Sequence, residues 1–213
     1  QKIIDNQEKY LSSSNGSLAF QVELELIAVY YNDDLHQEKN NFKKSSLNIE
    51  WLFDNEQFSD VTLKVDGKSI AAHKNILASA SPVFSAMFSH QMKENNENEV
   101  WINDIDYDIV YELARFIYFG KVNQMDQCTD QLLIVANKYQ MENLKMICSF
   151  MLTKKLTLRN CIDYLILADL HGTKLFKLKA IEFINKNKKK INNTKLISLP
   201  SHLILKLFKY ETN

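Results

Sequence analysis

The sequence predicts a mixed α+β fold, a small sheet set among many helices. Val61, Leu63 and Val65 alternate with Thr62 and Lys64 and run into Asp66-Gly67, which reads as a half-buried strand entering a tight hairpin turn. From Pro82 onward the apolar residues recur at helical spacing instead. With 213 residues and 46% hydrophobic content, the chain can bury one good core and a smaller second one.

The elements follow in order. Leu18, Phe20, Val22, Leu24 and Leu26 alternate with Ala19, Gln21, Glu23 and Glu25, a strand whose apolar face has no partner nearby in sequence and needs a sheet. Residues 32 to 46, rich in Asn, Asp, Lys and Ser, read as a linker. Leu47, Ile49, Trp51, Leu52 and Phe53 put apolar groups on nearly every side of a short helix, so some are expected to be covered by another subunit. After the hairpin turn, Ser69 to Ala72 form the return strand. Ser81 before Pro82 marks a helix start: the hydroxyl accepts an amide hydrogen bond, and proline loses nothing at the first helical position. Val83, Phe84, Met87 and Phe88 then share a face that must be buried.

Val100, Ile102 and Ile105 flank a short strand and loop, and Val110, Leu113, Ala114 and Ile117 mark a helix that stops at Gly120. A helix from Thr129 or Asp130 carries Leu132, Leu133, Val135, Ala136 and Tyr139, and the next holds Leu144, Ile147, Cys148 and Met151. Thr157 and Thr173 are the expected caps of two further helices, with Ile162, Leu165 and Ile166 on one and Ala180, Ile181 and Ile184 on the other. Leu203, Leu205 and Leu207 mark a final helix after Pro200.

Several function classes lack their chemistry. Lys+Arg and Asp+Glu balance at 26 each, so no global field favours nucleic acid or an anionic membrane. No apolar run reaches the length of a membrane span, and no signal peptide opens the chain. A start at Gln1 instead of Met is what a fragment would show. Cys128, Cys148 and Cys161 are odd in number and lack Cys-x-x-Cys spacing, pointing to free thiols in a reducing compartment, nucleus or cytoplasm. Those cysteines with His171 and His202 have no zinc-ligand spacing, so no metal is expected. Four glycines form no phosphate-cradling loop, Ser81 is better used as a cap than as a nucleophile, and neither a catalytic group nor a cofactor is expected. The run Lys186 to Lys190 reads first as a solvated helix end, with a nuclear signal or a phosphate-binding patch as the sharper alternatives.

Several segments, in order and at compatible spacing, carry a family likeness. They are Phe58-Ser-Asp-Val, Ala72-His-Lys-Asn-Ile-Leu, Ser81-Pro-Val-Phe-Ser-Ala-Met-Phe, Ile102-Asn-Asp-Ile, Phe116-Ile-Tyr-Phe-Gly-Lys and Leu167-Ala-Asp-Leu-His. On these, residues from about Leu47 to Ile184 resemble the BTB/POZ domain, in particular that of the speckle-type POZ subfamily, where a MATH domain precedes it. The resemblance implies the last strand of a MATH sandwich at residues 1–31, a linker at 32–46, the BTB/POZ domain at 47–155 and a helical 3-box or partial BACK extension at 156–213. The first strand could instead join the BTB sheet of its own chain or of a dimer partner.

Sites follow from the same likeness. Met92-Lys93-Glu94 matches the hydrophobic-x-Glu pattern by which such proteins dock cullin-3, with Ile105, Tyr107 and Met125 as weaker members of that surface. A methionine suits the task because its flexible thioether fills a partner's groove while a nearby carboxylate sets register. Ile49, Leu52 and Ile76 occupy positions that pack across a twofold axis, although polar Ser45 and Ser46 stand where the family carries apolar residues. Asp60 and Lys74 are expected as a paired, structural charged pocket, with His73 as a packing and hydrogen-bonding residue. The implied function is a dimeric substrate adaptor of a cullin-3 RING ubiquitin ligase, with protein substrates captured by a MATH domain if the full-length protein has one. Holding only the last strand of it, this chain is expected to bind cullin-3 and itself but to recognise substrate poorly. The alternative is a BTB oligomerisation module of a transcriptional regulator that recruits corepressors.

Overall fold

The hairpin forms as the alternation requires. Strand β1 (Val61–Val65) pairs antiparallel with β2 (Lys68–Ala72), with Val65 opposite Lys68, so the return strand begins one residue earlier than expected. Asp66 and Gly67 adopt φ of +48° and +74°, the left-handed pair a two-residue turn demands. On the other side of β1 lies β3 (Glu99–Ile102), parallel to it, giving the order β2-β1-β3. The computed structural model describes residues 49–89, 96–122, 125–191, 196 and 199–209, all within the unit Asn48–Asn213. The expected N-terminal strand, the linker and Leu47 lie outside these residues, as do the MATH and linker assignments for 1–46.

Each strand sends one face inward. Val61, Leu63, Val65, Ile70, Ala72, Val100 and Ile102 are buried in the main core, where Leu63 alone contributes about 1.5–3 kcal/mol by leaving water. The chain passes from β2 to β3 by way of helices α1 (Lys74–Ala80) and α2 (Pro82–Ser89). Ser81 caps α2 as expected: its Oγ accepts the Phe84 amide at 3.2 Å while the hydroxyl donates to the Tyr139 carbonyl at 2.7 Å. That second bond ties α2 to a residue 58 positions away. Phe84 stacks on Tyr139 at 4.6 Å and lies parallel to Phe88 at 6.1 Å.

Helix α3 (Tyr107–Phe119) ends where glycine was expected to end it, at Gly120, whose φ of +66° lets its amide reach the Phe116 carbonyl. Its first amide, that of Tyr107, is accepted at 2.9 Å by Asp66 Oδ2 from the hairpin turn. Helix α4 (Met125–Lys138) is broken at Cys128, whose φ of −130° leaves the helical region, so its regular part begins at the expected Thr129. Helix α5 (Glu142–Lys154) completes the main core with Leu144, Ile147 and Cys148.

A second core follows. Helices α6 (Cys161–Leu170), α7 (Lys174–Asn187) and α8 (Ser201–Lys209) enclose Cys161, Ile162, Leu165, Ala180, Ile181, Ile184, Leu203 and Leu207, and Leu156 packs against both cores. One of the two expected caps differs from the sequence reading. Thr157 does cap the turn that leads into α6: the Asn160 amide donates to Thr157 Oγ1 at 3.4 Å, the Thr157 amide returns to Asn160 Oδ1 at 2.7 Å, and the Cys161 amide reaches the Thr157 carbonyl at 3.0 Å. Thr173 does precede α7, yet its hydroxyl donates back to the Ala168 carbonyl at 3.1 Å, closing α6 instead of opening α7. The short apolar segment near residue 50 is a single 3-10 turn, Glu50–Leu52.

Candidate functional site

The loop from β3 into α3 stands beside α4. Asp104, Ile105, Asp106 and Ile109 on one side and Gln131, Ile134 and Val135 on the other line a groove of about 150 Å³. Its apolar lining has a topological cause. Leu132, Leu133, Val135 and Ala136 fill the core face of α4, leaving Ile134 outward and 44% exposed. Lys138 pins the loop to the helix, its Nζ 2.7 Å from both Asp104 oxygens. That hydrogen bond outweighs partial desolvation and holds the Asp104 carboxyl below the usual carboxylate value. An apolar trough rimmed by the Asp104–Lys138 pair and the Asp106 carboxylate accepts a hydrophobic side chain with a polar flank.

The expected docking residues separate here. Ile105 is half-buried and lines the groove. Tyr107, two residues on, is not among the lining residues; its ring lies 4.4 Å from the Lys68 ammonium and 5.8 Å from Tyr111. Burial, then the nearby Asp54 charge, pushes its phenol up. Met125 opens α4, but its side chain lies outside the described residues, as do Met92 and Glu94. Sequence reasoning missed Asp104, Gln131, Ile134 and Lys138. Ile134 did leave a signal: five successive apolar residues, Leu132 to Ala136, are more than one helix face can bury.

Ile49, Leu52 and Ile76, the expected dimer residues, are each half-buried. Beside them in sequence, Trp51 and Phe58 are 51% and 71% exposed and meet edge to face at 6.3 Å. Phe53 anchors this segment against Tyr111, Tyr118 and Phe119, and Asp54 Oδ1 accepts the Ala71 amide of β2 at 3.2 Å.

Asp60 and Lys74 do meet, through the backbone. Asp60 Oδ1 accepts the Lys74 amide at 2.7 Å at the start of α1, and the Lys74 ammonium donates to Asn98 Oδ1 at 2.6 Å. A carboxylate at a helix N-terminus satisfies an orphan amide and complements the dipole. His73 is buried, its amide donating to the Tyr118 hydroxyl oxygen at 3.0 Å with Nδ1 2.9 Å from the same atom. Desolvation pushes the Tyr118 phenol up to about 12, so it stays protonated at neutral pH.

A hairpin, a parallel third strand, a pair of short helices between them and a helical layer closing the core are now joined by a family comparison. The model of the BTB/POZ domain matches residues 49–156, just over half the chain. The chain belongs to the BTB/POZ family. Among solved structures it is similar to the BTB domain of zebrafish PATZ1, at 27% identity and a TM-score of 0.42, covering 47% of this chain and 80% of that one. It is also similar to the BTB (Tramtrack and Bric a brac) domain of human gigaxonin, at 25% identity and a TM-score of 0.39, covering 44% of this chain and 76% of that one. BTB domains mediate dimerisation and act in cullin-3 adaptors or in transcription factors. The groove lies wholly inside the BTB span, whereas α6, α7 and α8 follow it.

Proposed function

We propose that this BTB protein is a substrate adaptor of a cullin-3 RING ubiquitin ligase. The observation that carries the reading is the apolar groove at Ile105 and Ile134 on a domain whose work is protein pairing. Met92, Glu94, Tyr107 and Met125 are assigned to cullin contact, together with Ile105, on the sequence pattern of the family. Ile49, Leu52 and Ile76, with the Trp51 and Phe58 rings, form the self-pairing face. Residues 1–31 are assigned as the last strand of a MATH sandwich, protein substrates being captured by a MATH domain if the full-length protein has one, in nucleus or cytoplasm. The adaptor carries out no covalent step; it raises the effective concentration of a substrate lysine near the charged conjugating enzyme, and pairing adds avidity for substrates with repeated motifs.

Co-elution of the full chain with the N-terminal domain of cullin-3 tests this. The wild type is expected to form a complex that Met92→Glu abolishes while the melting temperature is kept. An unaltered complex in that variant removes the methionine assignment. Absence of any complex with the wild type removes the adaptor reading itself.

A further inference from the structure

A second concave site lies where the two cores join. The end of α5 and one face of α7 enclose a groove of about 310 Å³, with Leu156 and Phe183 among its lining and Lys154, Lys179 and Lys186 around it. Its volume reaches the lower end of the range typical of ligand pockets. Lys179 is braced by Glu182 at 2.9 Å, and the Lys154 ammonium sits 4.4 Å from the centre of the Phe150 ring. Neither Lys154 nor Lys186 forms an ion pair among the described residues. Lys188, Lys189 and Lys190 follow directly in a 3-10 turn. Because the whole chain balances 26 basic against 26 acidic residues, this lysine concentration is local and not a consequence of composition.

We infer that this groove binds an acidic segment of a partner protein that carries a large apolar anchor. The apolar lining takes the anchor and the lysines take flanking carboxylates, giving register as well as attraction. A nucleic-acid backbone fits less well. It presents evenly spaced phosphates and no apolar side chain to fill the space between Leu156 and Phe183. The residues involved are distinct from those of the groove at Ile105, so this inference does not depend on cullin docking.

Fluorescence anisotropy on the full chain tests it with a labelled peptide holding a Leu-Phe pair between acidic flanks. A companion peptide has the same charges with Ser-Ser in place of Leu-Phe, and a single-stranded oligonucleotide is the third probe. Lys154 and Lys186 are exposed, so Lys154→Glu with Lys186→Glu is expected to keep the melting curve. It is expected to weaken the Leu-Phe peptide about tenfold, with the Ser-Ser peptide about tenfold weaker on the wild type and both affinities falling with salt. The inference is overturned by no saturable binding of the Leu-Phe peptide, by equal binding of both peptides, by an unchanged affinity in the double variant, or by tighter binding of the oligonucleotide.

Discussion

Asp66 serves two structures at once. It occupies the first left-handed position of the hairpin turn, and its carboxylate accepts the first amide of α3. Asp66→Ala removes the acceptor and places alanine at positive φ, so it is expected to cost about 1–2 kcal/mol in urea unfolding, with Asp66→Asn losing less. Ser81 is similarly double, and Ser81→Ala, which leaves the Tyr139 carbonyl without its donor and α2 without its cap, is expected to cost about 2 kcal/mol in the same measurement. An unchanged unfolding midpoint in either alanine variant contradicts the assigned role. The Cys148 thiol, pushed up to about 12 by burial, is expected to resist iodoacetamide at pH 8 and to label only after unfolding. At this scale the turn and the Ser81 cap were legible because two or three adjacent residues encode them. The Thr173 hydroxyl and the Asp60 carboxylate were not, since each chose a backbone partner that the fold brings near.

Elements are held by contacts that cross them. Asp169 on α6 receives Lys177 of α7 at 2.9 Å and His202 of α8 at 2.6 Å, fastening three helices at one carboxylate. Desolvation raises that carboxyl, but hydrogen bonds and charge from Lys177 and His202 outweigh it and leave it below the ordinary carboxylate value. A depressed carboxylate stabilises the fold fully above its unfolded value and loses that contribution as pH falls through its folded one. Asp169→Asn is therefore expected to be less stable than the wild type by about 1 kcal/mol between pH 5 and 6, screened as it is by solvent, with the gap closing toward pH 3. A gap that persists at pH 3 contradicts the ion-pair explanation. The helix itself was readable, since Pro200 and the spacing of Leu203 and Leu207 announce it, both leucines being buried and Leu205 62% exposed. Its fastening was not, because Asp169 and His202 are 33 residues apart.

At the largest scale, the described residues form a BTB domain followed by three further helices. Its sheet, helix order and core faces follow from alternation, caps and glycine stops that the chain states locally. The groove at Ile105 does not, because residues 104–109 and 131–135 belong to separate elements and meet only when α4 packs beside the β3 to α3 loop. Self-pairing has its own test: Leu52→Asp with Ile76→Asp is expected to convert a dimer to a monomer in light scattering, whereas a monomeric wild type contradicts the pairing face. The proposed adaptor role rests on docking at the groove, and calorimetric titration of the cullin-3 N-terminal domain into the full chain measures that docking directly. One cullin per protomer is expected, with Ile105→Glu and Ile134→Glu together weakening the affinity at least about tenfold at an unchanged melting temperature. Binding that ignores both substitutions, or no binding at all by the wild type, contradicts it.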